Sequence, residues 1–295
     1  MSGVAVPART RRKSLTAGRI RLDHLVVARG LLPSRHQAES AIRAGEIFVD
    51  GTRKDKPGVL VAHGAAVERR ARGGPYVGRG GIKLAAALEA FGVAPAGMVA
   101  VDVGSSTGGF TDCLLQRGAR RVYAVDVGRG LLHWRLRRDP RVVVLEGHHA
   151  ARLRPGDLPE AVDLATIDCS FISLSKVLPA AVALLRDGGM VIALVKPQFE
   201  AGPKAAPRGV VRDPAVHEAV LHRVIADVLH LGASPIGIVP SPLLGPQGNR
   251  EFFILVLKER LPESGSVDNV SEAIRQAVWS GAHRRTVPDR PAGAE

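Results

Sequence analysis

The sequence predicts an α/β fold, a mostly parallel sheet of seven strands with helices between them, preceded by a small α+β domain. Three observations predict it. From Ile82 onward, short β-forming runs alternate with apolar helical stretches, the pattern of a sheet built from crossover units. The first of those runs passes into a glycine loop that opens a helix, VAVDVGSSTGGF over Val99–Phe110. Ahead of them, Arg21–Arg70 carries an apolar set of its own, set apart by the Gly/Arg-rich stretch RRARGGPYVGRGG.

Taken in order, residues 1–20 are basic, with Arg9, Arg11, Arg12, Lys13 and Arg19 and little apolar content, and read as a disordered arm. Residues 21–68 read as the small domain. Leu22, Leu25 and Val26 share one face of a short helix. Ser34 caps a second helix with Gln37 at the capping-box position, and Gly45 ends it. Glu46–Val49 is a strand, Asp50-Gly51 a tight turn, and Val59–Val61 and Ala66–Val67 supply further short strands. Arg35, His36, Arg43, Lys54 and Lys56 are the cationic positions around this frame. Residues 69–81, which include Arg79, read as a linker or hinge.

Residues 82–281 form the second domain. Ile82–Phe91 is a helix carrying Lys83, and Gly109–Arg117 is the helix after the glycine loop. The strands are Val99–Val103, Arg121–Val127, Val142–Leu145, Leu164–Ile167, Met190–Val195, Ile236–Val239 and Phe252–Leu257. Phe171–Leu185, Val216–Leu231 and Val270–Val278 are helices, and Glu200–Asp213 is a Gly/Pro-rich stretch long enough for a lid. Residues 282–295 read as a disordered tail.

Composition narrows the function. The 295 residues are 45% hydrophobic, enough for a buried core, and only 4% aromatic, so stacking on many rings is not the main way this chain grips a polymer. Lys and Arg number 41 against 28 acids, a net charge of +13, which points to a polyanionic partner. Cys113 and Cys169 stand alone, so neither a zinc site nor a disulfide framework is expected, and the natural compartment is the reducing cytoplasm. No apolar run reaches membrane-spanning length, and the basic start lacks the apolar core of a signal peptide. No metal and no membrane partner are expected.

The glycine loop is G-x-x-x-G-G, which is neither the dinucleotide pattern nor a P-loop, because no Lys-Ser or Lys-Thr follows it. It suits S-adenosylmethionine, which has no pyrophosphate to cradle. Gly104, Ser105, Ser106, Thr107, Gly108, Gly109 and Phe110 are the expected cofactor loop, with Asp102 just before it orienting the loop and meeting the cofactor's amino-acid end. Asp126 ends the second strand, where a carboxylate accepts from both hydroxyls of an adenosine ribose, and Val127 follows it. Lys83, Asp168, Lys196 and Glu251 fall by topology at one rim of the crevice. Two amines and two carboxylates suit methyl transfer to a ribose hydroxyl, which must be oriented and must lose its proton as it attacks in line. Lys196 is the expected base. Lys83 and the sulfonium lower its pKa, while Asp168 and Glu251 raise it.

Two resemblances sharpen this reading. RLDHLVVARGLLPSRHQAESAIRAGEIFVDG resembles the S-four RNA-binding domain, named after a small-subunit ribosomal protein. Its likeness implies that Arg35, His36, Arg43, Lys54 and Lys56, with Arg79, meet structured RNA. DVGSSTGGFTDCLL, AVDVGRGLLHWRLRRDPRV, IDCSFISL, LVKPQFEAG, GVVRDPAVH and SPLLGPQGNREFF resemble the TlyA family of ribosomal RNA 2′-O-methyltransferases, within the wider FtsJ-like group. That resemblance implies a Rossmann-like class I methyltransferase sheet and a Lys-Asp-Lys-Glu tetrad at Lys83, Asp168, Lys196 and Glu251. It also implies methylation of cytidine 2′-hydroxyls in the rRNA of small and large subunits, capreomycin- and viomycin-type antibiotic susceptibility, and action as a monomer. Some members bear the name haemolysin, yet nothing in this sequence reads as membrane-active. His149 stands where related sequences have an Asn near the adenine, and GGPYV replaces an Arg-Ala-Trp-Val element of a mycobacterial relative. Two rival readings remain: an RNA base N-methyltransferase, loosely suggested by Asp168-Cys169-Ser170-Phe171, and a noncatalytic RNA-binding or haemolysin-like protein.

Overall fold

The structure, a computed structural model, describes residues 18–70, 74–261 and 267–279. The arm expected over 1–20, except its last three residues, and the tail expected over 282–295 lie outside the described residues. The chain divides into two compact units between residues 73 and 74.

The smaller unit runs β1 (Arg19–Arg21), α1 (Leu22–Ala28), α2 (Arg35–Arg43), β2 (Ile47–Val49), β3 (Thr52–Lys54), β4 (Leu60–Ala62) and β5 (Val67–Arg69). The Ser34 hydroxyl accepts from Gln37 N at 3.3 Å and starts α2, as its sequence position requires. Asp50 and Gly51 both take positive φ, the geometry of a two-residue hairpin turn, and join β2 to β3. Leu22, Leu25, Val26, Ala38, Ala41, Ile42 and Ile47 form the core. β1 and β3, absent from the sequence expectation, read RIR and TRK. With one apolar residue between them, Ile20, they are too short to signal a strand and pair with β4 and β2.

The larger unit adds α3 (Arg79–Phe91), β6 (Val99–Val103), α4 (Gly109–Gln116), β7 (Arg121–Asp126), α5 (Trp134–Arg137), β8 (Val142–Glu146), β9 (Val162–Ile167), α6 (Leu174–Leu184), β10 (Leu185–Val195), α7 (Pro197–Glu200), α8 (Pro214–His230), β11 (Ser234–Pro240), β12 (Phe252–Leu257) and α9 (Val267–Trp279). Its seven strands lie in the order β11-β12-β10-β9-β6-β7-β8, all parallel except β12, which runs antiparallel to β10 and β11. The order reverses between β6 and β9, and in open α/β sheets ligands bind at such a switch, beyond the carboxyl ends of the strands. One face of the sheet packs on α3 and α4 through Leu84, Leu88, Phe110 and Leu114. The other packs on α6, α8 and α9 through Val177, Leu178, Leu221, Val224 and Ile274.

Several boundaries differ from the sequence expectation, and four of the differences have a clear local reason. The expected linker is folded from residue 74. Gln116 donates to Pro75 O at 2.8 Å, Val77 N donates to Asp112 at 2.8 Å, and α3 begins at Arg79 rather than Ile82. Helix α6 begins at Leu174, because Phe171 sits at φ +64° and Ser173 caps the helix. Strand β10 reaches back to Leu185 across an irregularity before Met190. Glu200–Asp213 is not a free lid. Glu200 accepts from Leu174 N and Ser173 Oγ, and Asn249 accepts from Val211 N and donates to Gly209 O. Helix α9 ends on Arg250, whose guanidinium donates to Val278 O at 2.7 Å and Ala277 O at 3.1 Å, two carbonyls left free by the end of the helix.

Candidate active site

Strand periodicity gathers the site. Ala100, Leu194 and Phe253 face the α3/α4 side of the sheet. Counting by twos, Asp102 on β6, Thr166 on β9 with Asp168 just beyond it, Lys196 after β10 and Glu251 before β12 point to that same side. Val195 pairs with Phe252, so Lys196 and Glu251 are neighbours across the next rung of the two strands. Lys83 approaches from α3.

The four charged groups form two ion pairs. Lys83 Nζ lies 2.5 Å from Glu251 Oε2, and Lys196 Nζ lies 2.7 Å from Asp168 Oδ1. Lys196 also donates to Ser170 Oγ at 3.0 Å and reaches Asp168 O at 3.4 Å. The Glu251 side chain is fully buried and both lysines are buried, so each charge depends on its partner. Glu251 Oε1 packs against Gly245, where a Cβ would fall 2.1 Å away, and has no hydrogen-bond partner among the described residues.

Two adjoining clefts open above these pairs. The larger, about 1110 Å³, is lined by Asp126, Val127, Leu131, His148, His149, Ile172 and Phe199 among others. The smaller, about 110 Å³, is lined by Gly78, Arg79, Gly80, Ser105, Thr107, Gly109 and Phe110. Gly104, Ser106 and Asp168 line both. Asp126, which lines the larger cleft, accepts from Ser106 N through Oδ2 and from Gly128 N through Oδ1, and each oxygen keeps further acceptor capacity. At Gly104, φ is +86° and a Cβ would meet the Asp168 backbone at 3.0 Å, so only glycine brings the loop this close to β9. Burial pushes the Cys169 thiol in the larger cleft up to about 12, so it is a neutral lining group.

The clefts sort the sequence-predicted residues. Gly104, Ser105, Ser106, Thr107, Gly109, Phe110, Asp126, Val127 and His149 line one or both. Gly108 does not. Its Cα is packed under Leu132 and Leu136, and its place in the loop is conformational, at φ +95°. Asp102 does not either, and the contact expected of it with a cofactor is corrected here. Its side chain is fully buried, with Oδ2 accepting from Thr111 N and Oγ1 and Oδ1 from Thr166 Oγ1. It ties the first turn of α4 to β9. Of the four charged residues, Asp168 lines both clefts, and Lys83, Lys196 and Glu251 lie beneath the surface.

Asp102 gives a pH prediction. Burial pushes its carboxyl up to about 7, with the Asp168 charge adding and the threonine hydrogen bonds opposing. An unfolded Asp titrates near 4. Between those values the folded protein holds the extra proton, so the stability from this group is fully present below pH ~4 and is lost as pH rises through about 7. Thermal melts from pH 4 to 8 should show that falling increment, and Asp102→Asn should remove it.

Sequence reasoning missed several supports. Ser170 bonds Lys196, and Glu146 shapes the loop after β7 by accepting from Gly130 N, Leu131 N and Leu132 N. Phe171 is 90% exposed, at positive φ, with its ring 5.0 Å from that of Phe199. The only sequence signal was DCSF, which does not reveal a left-handed residue.

In the smaller unit, Arg35, His36 and Arg43 lie exposed on α2, Lys54 is half-buried on β3, and Lys56 is exposed after it. Arg35 is braced by Asp23 and Glu39, both at 3.0 Å, and Arg43 by Glu39 at 3.8 Å. Burial alone would raise the Asp23 carboxyl, but hydrogen bonds from Arg21 and Arg35 hold it down at about 2. Arg79 belongs to the larger unit and lines its smaller cleft. Among the described residues no group of three or more His, Cys, Asp and Glu could hold a metal, and no helix is long and apolar enough to cross a membrane.

A seven-stranded sheet with one antiparallel strand, a glycine loop at the switch point and an acid ending the second strand define a class I methyltransferase, whose cofactor is S-adenosylmethionine. The chain belongs to the FtsJ-like methyltransferase family, whose model matches residues 76–258, and residues 20–67 match the S4 domain. It is 43% identical over 271 residues to a 16S/23S rRNA (cytidine-2′-O)-methyltransferase, TlyA, of Mycobacterium tuberculosis, covering 90% of this chain and 99% of that protein. Hemolysin A of Brachyspira hyodysenteriae is 34% identical over 244 residues, covering 79% and 98%. A solved structure of a hemolysin-named protein from Streptococcus thermophilus superposes with a TM-score of 0.68 at 41% identity, covering 88% of this chain and 95% of that one.

Proposed function

We propose that this chain methylates the 2′-hydroxyl of cytidine in the rRNA of small and large ribosomal subunits. The observation that carries this reading is the pair of buried lysine–carboxylate contacts under the switch point, with Asp168 reaching both clefts. The residues present fit S-adenosylmethionine. The larger cleft pairs an acid, Asp126, with the apolar Val127, Leu131 and Ile172, as a nucleoside requires. The smaller has room for an α-amino-acid group, and Ser105 Oγ on its wall is buried without a hydrogen-bond partner among the described residues. Bound there, the cofactor supplies an electrophilic methyl on a sulfonium.

The chain's own groups do the rest. Asp126 accepts from the cofactor's ribose hydroxyls, and loop 104–109 and His149 fix its two ends. Lys196, as the free amine, takes the proton of the attacking hydroxyl, a role for which general-base catalysis contributes about 10²–10⁴-fold. Asp168 orients that hydroxyl, while Lys83 and Glu251 brace the rung beside Lys196. Phe171 presents an open ring face on which an unstacked base can lie. Arg35, His36, Arg43, Lys54 and Lys56 neutralise RNA phosphates, and Arg79 does so beside the cleft. The enzyme works as a cytoplasmic monomer, and the marks it leaves set susceptibility to capreomycin- and viomycin-type antibiotics.

Alkaline hydrolysis of RNA methylated by the purified enzyme tests the reaction class. A ribose-methylated nucleotide blocks cleavage at its own linkage and leaves an alkali-stable dinucleotide; complete hydrolysis of the labelled RNA would place the methyl on a base.

A further inference from the structure

Lys196 is buried and lines neither cleft, whereas two of the groups bonded to it, Asp168 and Ser170, both line the larger one. A hydroxyl entering that cleft therefore meets Asp168 and Ser170 before it can meet the amine. Of the two, only Ser170 can accept one proton while giving up another. Its Oγ is 3.0 Å from Lys196 Nζ, within hydrogen-bond reach, and its residue is exposed. Asp168 Oδ1 holds Nζ from another side at 2.7 Å, so the Lys196–Ser170 direction is fixed.

We propose that Ser170 is a proton relay between the substrate hydroxyl and Lys196; this rests on the ribose-methyltransferase reading above. With Lys196 as the free amine, the Ser170 O–H points at Nζ and its lone pairs face the cleft. As the substrate oxygen bonds to the methyl carbon, the carbon–sulfur bond breaks with its electron pair remaining on sulfur. The substrate proton passes to Ser170 Oγ, and the Ser170 proton passes to Nζ, leaving an ammonium beside Asp168 that returns its proton to water. The relay lets the base stay buried while the acceptor hydroxyl stays in the cleft.

Ser170→Ala and Ser170→Thr separate the relay from simple packing. Ser170→Ala should lower kcat about 100-fold, at the lower end of general-base effects. Ser170→Thr, which keeps the hydroxyl, should recover most of that loss. In the cofactor-free protein, ¹⁵N NMR of the lysine amines should show the Lys196 signal displaced in Ser170→Ala and restored in Ser170→Thr, because the hydrogen bond to Nζ is lost in the first and kept in the second. Full turnover by Ser170→Ala alongside an inactive Lys196→Ala would overturn the relay and leave the methyltransferase reading standing. An unmoved Lys196 signal in Ser170→Ala would also overturn it. Full turnover by both variants would remove Lys196 as the base and the relay with it, whereas a wild-type chain that leaves no 2′-O-methylated nucleoside would defeat the reading itself.

Discussion

Lys196→Ala should lower turnover about 10²–10⁴-fold, the range a positioned general base contributes. Its dissociation constant for S-adenosylmethionine should stay within a factor of two, because Lys196 lines neither cleft. The measurement is single-turnover methylation beside calorimetric titration of the cofactor. Loss of binding together with turnover would mean that Lys196 shapes the pocket. Turnover at the wild-type rate would remove it as the base. Removing the amine leaves the partly exposed Asp168 carboxylate in contact with solvent, so the fold should survive.

Glu251→Gln should have the largest effect on stability. The substitution keeps the shape of the side chain and removes its charge, leaving the Lys83 ammonium buried without a counter-charge. Breaking one partner of a buried ion pair costs about 3–5 kcal/mol. In a unit of this size that lowers Tm by on the order of 10 °C. Replacing the pair by apolar residues of similar size, Lys83→Met with Glu251→Leu, should recover most of the Tm, since a buried pair stabilises little over a packed apolar one. The double variant should stay inactive if Lys196 needs the rung beneath it to be charged. Recovery of both Tm and turnover would reduce Lys83 and Glu251 to structural residues.

The strands that build the larger unit were legible because each is a run of β-formers long enough to stand above its surroundings, and Val99–Val103 and Phe252–Leu257 were bounded to the residue. Their order could not be read from such runs, since pairing is a tertiary choice, yet Asp168 and Lys196 could be placed at one rim because the carboxyl ends of parallel strands share a side, with Glu251 opening the antiparallel β12 and Lys83 brought there by α3. What stayed hidden depends on contacts distant in sequence. Asp102 looked like a cofactor ligand from its place before the glycines, but its side chain is fully buried and bonded to Thr111 and Thr166. Gly108 looked like part of the binding loop, but Leu132 and Leu136 occupy the space its Cβ would need. The stretch at 200–213 had the composition of a lid and is tied down by Glu200, which accepts from Ser173 and Leu174, and by Asn249, 38 and 40 residues from the two positions it bonds. Ser170 stood inside IDCSFISL with no role of its own, and only its distance from Lys196 singles it out.

The most direct measurement is nucleoside analysis of ribosomal subunits that lack the modification, incubated with labelled S-adenosylmethionine and either the wild-type chain or Lys196→Ala. Label in 2′-O-methylcytidine with the wild-type chain, and none above background with the variant, is the expected result. Label in a base-methylated nucleoside, or equal 2′-O-methylcytidine from both proteins, contradicts a ribose hydroxyl activated by Lys196.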